Sequence, residues 1–224
     1  MNSVLRIASA LLLFAPLGTA EPLDALLNRM NQSAKSSKSF TADLHWTHYT
    51  AVLDLKEEST GEMRLEKKGS NTIGIVDFKA PNQKTAIFVP GTFQQYLPKA
   101  NVLEVYELGK QAKLVDKYLL LVFGVSGNDL KKDYQVKLGG DETVAGVKTT
   151  RIELTPKEKE AKDLVAKLEL WIPEGQTYAI QQKVTAPSKD YDLWVYSNVK
   201  INPDLPESAF TFTPPAGVQK KVLK

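Results

Sequence analysis

The fold is decided by residues 40–47, Phe-Thr-Ala-Asp-Leu-His-Trp-Thr, in which apolar and polar side chains alternate. Every second residue of an extended strand points to the same face, so this stretch predicts a half-buried β-strand. Its apolar face would carry Phe40, Ala42, Leu44 and Trp46. Similar candidate strands follow along the chain at residues 61–66, 71–78, 85–89, 92–96, 102–108, 134–138, 147–154, 165–171, 178–185 and 190–201.

Two segments have helical rather than alternating spacing. Residues 22–34 predict an amphipathic helix, and residues 114–123 predict a short helix that is apolar nearly all round. Residues 129–132 add one further turn, whereas the charge run at 157–163 is typical of a solvated loop or short helix. About ten strands and two main helices, without βαβ alternation, predict an antiparallel-rich α+β domain.

The apolar face of such a sheet has to be covered, and only two main helices are available to cover it. Incomplete cover leaves an apolar hollow, which is how binding sites for hydrophobic molecules are built. The alternative is an ordinary filled core. Periodicity alone favours the filled core.

The composition of the chain argues against some classes of function. The 224 residues include 29 basic and 26 acidic side chains, a balance too even to indicate nucleic-acid binding. There is no cysteine, so stability must come from packing and from the strand ladder rather than from disulfides. With 42% hydrophobic residues, the chain can bury a sizeable core.

Residues 1–20 predict a cleavable export signal. Arg6 supplies a positive start, residues 7–15 are almost wholly apolar, and Gly18-Thr19-Ala20 offers small residues for cleavage. The alternative is an anchoring helix, but the apolar run falls short of the about 20 residues that span a bilayer. We therefore expect a periplasmic product with one domain, residues 21–224, and no lipid anchor on an N-terminal cysteine.

Signals for catalysis are sparse. His45 and His48 would point to opposite faces of a strand, which makes them a poor metal pair. Residues 124–127, Gly-Val-Ser-Gly, lack the G-x-S-x-G spacing of a nucleophile elbow. No phosphate-binding or dinucleotide motif occurs. We therefore expect no catalytic residue, no metal and no cofactor.

Residues 208–218, Ser-Ala-Phe-Thr-Phe-Thr-Pro-Pro-Ala-Gly-Val, closely resemble the closing segment of the periplasmic lipoprotein carrier (LolA) family. Weaker motifs of that family fall in the same order along the chain. They are Arg29-Met30 before Phe40-Thr41-Ala42, residues 61–68, Lys79-Ala80-Pro81, Tyr96-Leu97-Pro98 and residues 190–200.

The resemblance implies an incomplete, strongly curved antiparallel β-barrel, a half-barrel of about ten strands lidded by helices, which encloses a hydrophobic cavity. It implies a carrier that shuttles lipoproteins, held by their acyl chains, from the inner to the outer membrane. The implied partners are an inner-membrane ABC-type release complex and an outer-membrane lipoprotein receptor, and the implied state is a monomer. Two alternatives share this fold: a carrier of another lipid or glycolipid, and a non-carrying module that senses or binds lipoproteins.

Site residues follow from the same resemblance. The sheet register over residues 73–78 is not fixed by the sequence, so Ile75 and Phe78, on opposite faces, are both candidates. The full set expected to line a lipid cavity is Met30, Trp46, Met63, Leu65, Ile75, Phe78, Tyr118, Leu119 and Leu121.

One motif departs from the family pattern. The family closes its lid with an Arg that directly precedes Pro after the second strand, and this chain has Lys67-Lys68-Gly69 there. Lysine is a point donor without the planar fork of arginine. Either Lys68 makes a weaker lid contact, or the lid is regulated differently.

Overall fold

The computed structural model describes residues 21–69 and 71–223, so the predicted export signal lies outside the described residues. The helices are α1 (Leu23–Ala34), α2 (Ala112–Leu120), α3 (Gly127–Asp133) and α4 (Lys159–Leu164). The strands are β1 (Ser39–Thr50), β2 (Leu55–Lys68), β3 (Asn71–Phe78), β4 (Lys84–Val89), β5 (Thr92–Leu97), β6 (Val102–Glu107), β7 (Tyr134–Val144), β8 (Val147–Pro156), β9 (Lys167–Pro173), β10 (Gln181–Thr185), β11 (Tyr191–Ile201) and β12 (Gln219–Leu223).

These strands form one sheet in the order β12-β6-β5-β4-β3-β2-β1-β11-β10-β9-β8-β7. Each neighbouring pair is antiparallel except β12 with β6, which run parallel. The outermost strands β12 and β7 are not paired with each other, so the sheet stays open. Side chains from nearly every strand nevertheless converge on one hollow, which requires strong curvature. The predicted open antiparallel half-barrel is confirmed, and the described residues form twelve strands rather than about ten.

The sequence missed β12 because most of its five residues are exposed and polar, as expected of a strand at the edge of a sheet. The charge run at 157–163 contains the short helix α4, one of its two predicted forms.

Two apolar clusters fill the concave side of the sheet. In the first, α1 buries Leu26, Leu27 and Met30 against β8 and β9. In the second, Phe123 and neighbouring residues after α2 pack on Phe40 and the rest of the apolar face of β1. The predicted shared face of Phe40, Ala42, Leu44 and Trp46 is confirmed. No helix among the described residues is long and apolar enough to cross a membrane.

A third cluster lies on the convex side. Ile75 and Ile87 pack there with Leu103 and Val105, and Phe212 and Val218 of the C-terminal segment lie against them. Strand β3 is therefore buried on both faces, which explains why its sequence shows no clear alternation.

Candidate functional site

A cavity of about 450 Å³ lies between the concave face of the sheet and α2. Its volume falls in the range of ligand pockets in general. Strands β1 to β5 supply one wall, through side chains such as Trp46, Met63 and Phe78. The opposite wall is the lid, which we define as α2 with the turn 121–124 that follows it. Leu164 of α4, which is half exposed, also lines the cavity, so the cavity reaches the protein surface there.

The cavity wall is almost wholly apolar. Besides tyrosines, its polar side chains are Lys84, Gln95 and Gln182. Burial raises the pKa of Tyr134 to about 12. It also raises the pKa values of Tyr118 and Tyr196 well above the usual range. The three phenols therefore stay neutral at physiological pH and add no negative charge to the wall.

Six of the predicted site residues line this cavity. Tyr118 and Leu119 project from the lid, and the remaining four project from the sheet: Trp46, Met63, Leu65 and Phe78. These six side chains lie together on the cavity wall, as a ligand site requires. That they contact a lipid stays a prediction.

The other three predicted lining residues lie elsewhere. Met30 and Leu121 are almost fully buried in the packed cluster between α1 and strands β8 and β9. An apolar residue that fills a core and one that faces a cavity look alike in sequence, so the sequence could not separate these two from the cavity-lining residues. Ile75 lies on the convex face, because β3 pairs with β2 in the register that puts Val76 and Phe78 inside.

Lys84, Gln95, Phe88 and Phe93 were not expected in the site. Alternation within β4 was the available signal, because it places Lys84 on the same face as Ala86 and Phe88. Gln182 was missed because β10 has the polar sequence Gln-Gln-Lys-Val-Thr, which gives no sign that one of its glutamines is buried.

The lid contact expected of Lys68 is made by Lys67. Its Nζ donates to the carbonyl of Gly124, at the end of the lid, across 2.9 Å, and to the carbonyl of Ala34, the last residue of α1, across 3.0 Å. Burial lowers the pKa of Lys67, with nearby Asp129 acting in the opposite direction. Lys68 lies on the other face of β2 and pairs with Glu207, because successive strand residues alternate.

Two further bonds hold the lid. The carboxylate of Asp116 on α2 accepts from the backbone N–H of Thr72 across 2.9 Å. The carbonyl of Val122 accepts from the backbone N–H of Ala179, also across 2.9 Å. The lid is thus tied to β2, to β3 and to the segment before β10.

These features define a class of protein, an open half-barrel with a helical lid and an apolar internal cavity. Residues 119–222 match the family described as "Predicted periplasmic protein (DUF2092)". An outer-membrane lipoprotein carrier protein of Ralstonia nicotianae is 30% identical over 122 residues, 54% of this chain. That match spans only 52% of the carrier's own length. These findings confirm the resemblance to periplasmic lipoprotein carriers, and the protein is periplasmic as predicted.

Solved structures share the fold at low identity. An uncharacterized conserved protein from Thermus thermophilus aligns over 89% of this chain and 98% of its own, with a TM-score of 0.54 and 12% identity. MucB aligns over 90% of this chain and 66% of its own, with a TM-score of 0.52 and 16% identity. Over the described part of the chain, no group of three or more His, Cys, Asp or Glu residues is placed to hold a metal ion.

Proposed function

We propose that the protein is a periplasmic carrier that holds acyl chains in the cavity beneath the lid. Its cargo is the acyl chains of lipoproteins, which it shuttles from the inner to the outer membrane. The observation that carries the proposal is the apolar wall shared by the lid and the sheet. Burial of a methylene group is worth about 0.8 kcal/mol, so a dry cavity can hold an acyl chain without a covalent bond.

The similarity to a lipoprotein carrier supports the choice of cargo. A shuttle needs a donor and an acceptor, and the proposal therefore includes an inner-membrane ABC-type release complex and an outer-membrane lipoprotein receptor. The protein acts as a monomer and performs no catalysis. A cavity of about 450 Å³ argues against the filled core that a non-carrying interaction module would have.

The lid gives the proposed carrier a way to release its load. Two of the contacts of Lys67 are to backbone carbonyls at the C-terminal ends of α1 and of the lid. Such carbonyls lack partners within their own helix, and a cation there is favourable. A partner that draws Lys67 away would remove one of the bonds that hold the lid, without disturbing the sheet.

Native mass spectrometry of protein purified gently from a membrane-containing extract tests the proposal. We expect a bound population whose extra mass dissociates as an acylated species. Fragmentation of that species separates a lipopeptide from a free lipid or glycolipid, which decides between the proposed cargo and the alternative cargo. Uniformly empty protein, under conditions that preserve weak complexes, would overturn the carrier function.

A further inference from the structure

Lys84 places a positive charge inside the apolar cavity. The residue begins β4, lines the cavity and is half-buried. Its Nζ lies 4.7 Å from the ring centroid of Trp46 and 5.0 Å from that of Phe78. Two aromatic faces therefore hold the ammonium in a fixed position against the cavity wall.

This ammonium has no carboxylate within 4.0 Å among the described residues. The acidic groups that act on it from a distance are Glu57 and Asp192. Asp192 is already engaged, since its Oδ1 lies 2.9 Å from Trp46 Nε1 and 2.9 Å from His48 Nδ1. Burial lowers the pKa of Lys84, which shows that its charge is only partly compensated by its surroundings.

A second polar group lies on the same wall of the cavity. Gln182 on β10 is 1% exposed, and its side chain lies close enough to the phenol of Tyr118 to lower the pKa of that tyrosine, against the larger effect of burial. On the neighbouring strand β11, Trp194 lies opposite Gln182, and on the next strand, β1, Trp46 lies opposite Trp194. Gln182, the two tryptophans and Lys84 thus follow one another along the same wall.

We propose that the cavity selects an acyl chain whose polar end is anionic, a carboxylate or a phosphate, and that Lys84 pairs with that anion. The proposal rests on the acyl-chain carrier function and concerns the alternative cargo, a lipid with a free headgroup, because the acyl chains of a lipoprotein end in neutral esters and amides. The apolar wall binds the chain, and the half-buried lysine supplies a charge-assisted hydrogen bond.

The test compares two probes of equal chain length, palmitate and hexadecan-1-ol, on delipidated full-length protein. Binding is followed by the fluorescence of Trp46 and Trp194, which line the cavity. We expect palmitate to bind about tenfold more tightly than the alcohol. Lys84→Met should abolish this preference, and Lys84→Arg, which keeps the charge, should retain it. The preference of the wild-type protein should also shrink as salt rises.

A further pair of probes distinguishes the sources of the anion. Dioleoyl phosphatidylglycerol carries a net negative phosphate, and dioleoyl phosphatidylcholine is a neutral zwitterion with the same chains. Preference for phosphatidylglycerol over phosphatidylcholine assigns the anion to a phospholipid, and preference for palmitate alone assigns it to a fatty acid.

The outcomes separate the two proposals. If both members of each pair bind equally to wild-type protein, the headgroup inference is wrong and the carrier function stands. If none of the four probes binds, the carrier function fails as well. The wild-type comparison remains decisive if Lys84→Met does not fold, because it needs no variant.

Discussion

Lys67 on β2 and Gly124 at the end of the lid are 57 positions apart in sequence, yet Lys67 Nζ lies 2.9 Å from the Gly124 carbonyl oxygen. The same ammonium reaches the carbonyl of Ala34 at the end of α1. One side chain therefore joins the C-terminal ends of two helices to the sheet below them. The bonds go to the backbone, so the lid requires no special side chain to accept them.

The first prediction concerns this contact. Lys67→Met removes both hydrogen bonds and leaves two carbonyls without the cation, so the lid should open more often. We expect a loss of about 1–2 kcal/mol in the free energy of unfolding. Amide exchange should accelerate across residues 112–124, and bound acyl chains should leave faster. Hydrogen exchange with mass spectrometry measures the first effect, and stopped-flow release of a fluorescent fatty acid measures the second.

Lys68→Met is the matched control, because Lys68 pairs with exposed Glu207 on the opposite face. Exposed ion pairs contribute little to the free energy of unfolding, so this variant should behave as the wild type. Equal acceleration in both variants would remove the assigned role of Lys67.

The second prediction tests the same contact without changing charge. A Cβ at position 124 would lie 2.5 Å from both Cε and Nζ of Lys67, so the two cannot share the space. Gly124→Ala should therefore displace the ammonium and reproduce the faster exchange of Lys67→Met. Combining the two substitutions should add little to either alone, since they break one interaction. Fully additive effects in hydrogen exchange would show that Gly124 acts by another route.

The third prediction places a charge in the cavity. Leu119 lines the cavity from the lid, and Leu119→Glu puts a carboxylate against an apolar wall. We expect co-purified acyl lipid to disappear from the mass spectrum while the circular dichroism spectrum is kept. Leu138→Glu is the control, because Leu138 on β7 is 40% exposed and lies outside the cavity lining. Undiminished lipid in Leu119→Glu would exclude Leu119 from the site.

The fourth prediction separates core from cavity with two methionines. Met30 is 1% exposed in a packed cluster, so Met30→Ala should cost about 2–5 kcal/mol of stability by leaving a void. Met63 lines the existing cavity, so Met63→Ala enlarges it and should shift binding toward longer acyl chains. Chemical denaturation measures the first effect and a series of fatty acids measures the second. A changed chain-length preference in Met30→Ala would place Met30 in the site after all.

The fifth prediction concerns alkaline pH. Burial raises the pKa of Tyr134 from 10.0 to about 12, so the folded protein keeps a proton that the unfolded chain loses. The resulting stabilisation is complete below pH 10 and is lost as pH rises from 10 to 12, up to about 2–3 kcal/mol. Urea unfolding at pH 9, 10 and 11 should show this decline. Tyr134→Phe should decline less steeply, and an identical slope would show that Tyr134 is not responsible.

Alternation and helical spacing predicted both main helices and every strand except β12, because most of these elements bury one face. They could not decide which residues of β3 face the cavity, because this strand is buried on both faces and carries Ile75 on its convex side. The choice of Lys68 for the lid contact came from the family resemblance, whereas the alternation of Gly61, Met63 and Leu65 continues onto Lys67, the residue that makes the contact. Lys84 was missed because a charged residue at the start of a strand is normally exposed to solvent.

Strand β12 covers an edge of the sheet by pairing with β6, and Gln219 lies opposite Val102. About half of the chain separates the two strands. The edge of β6 therefore stays unpaired until residues 219–223 have folded onto it. An unpaired edge can pair with another chain, so slow docking of this segment exposes the protein to aggregation.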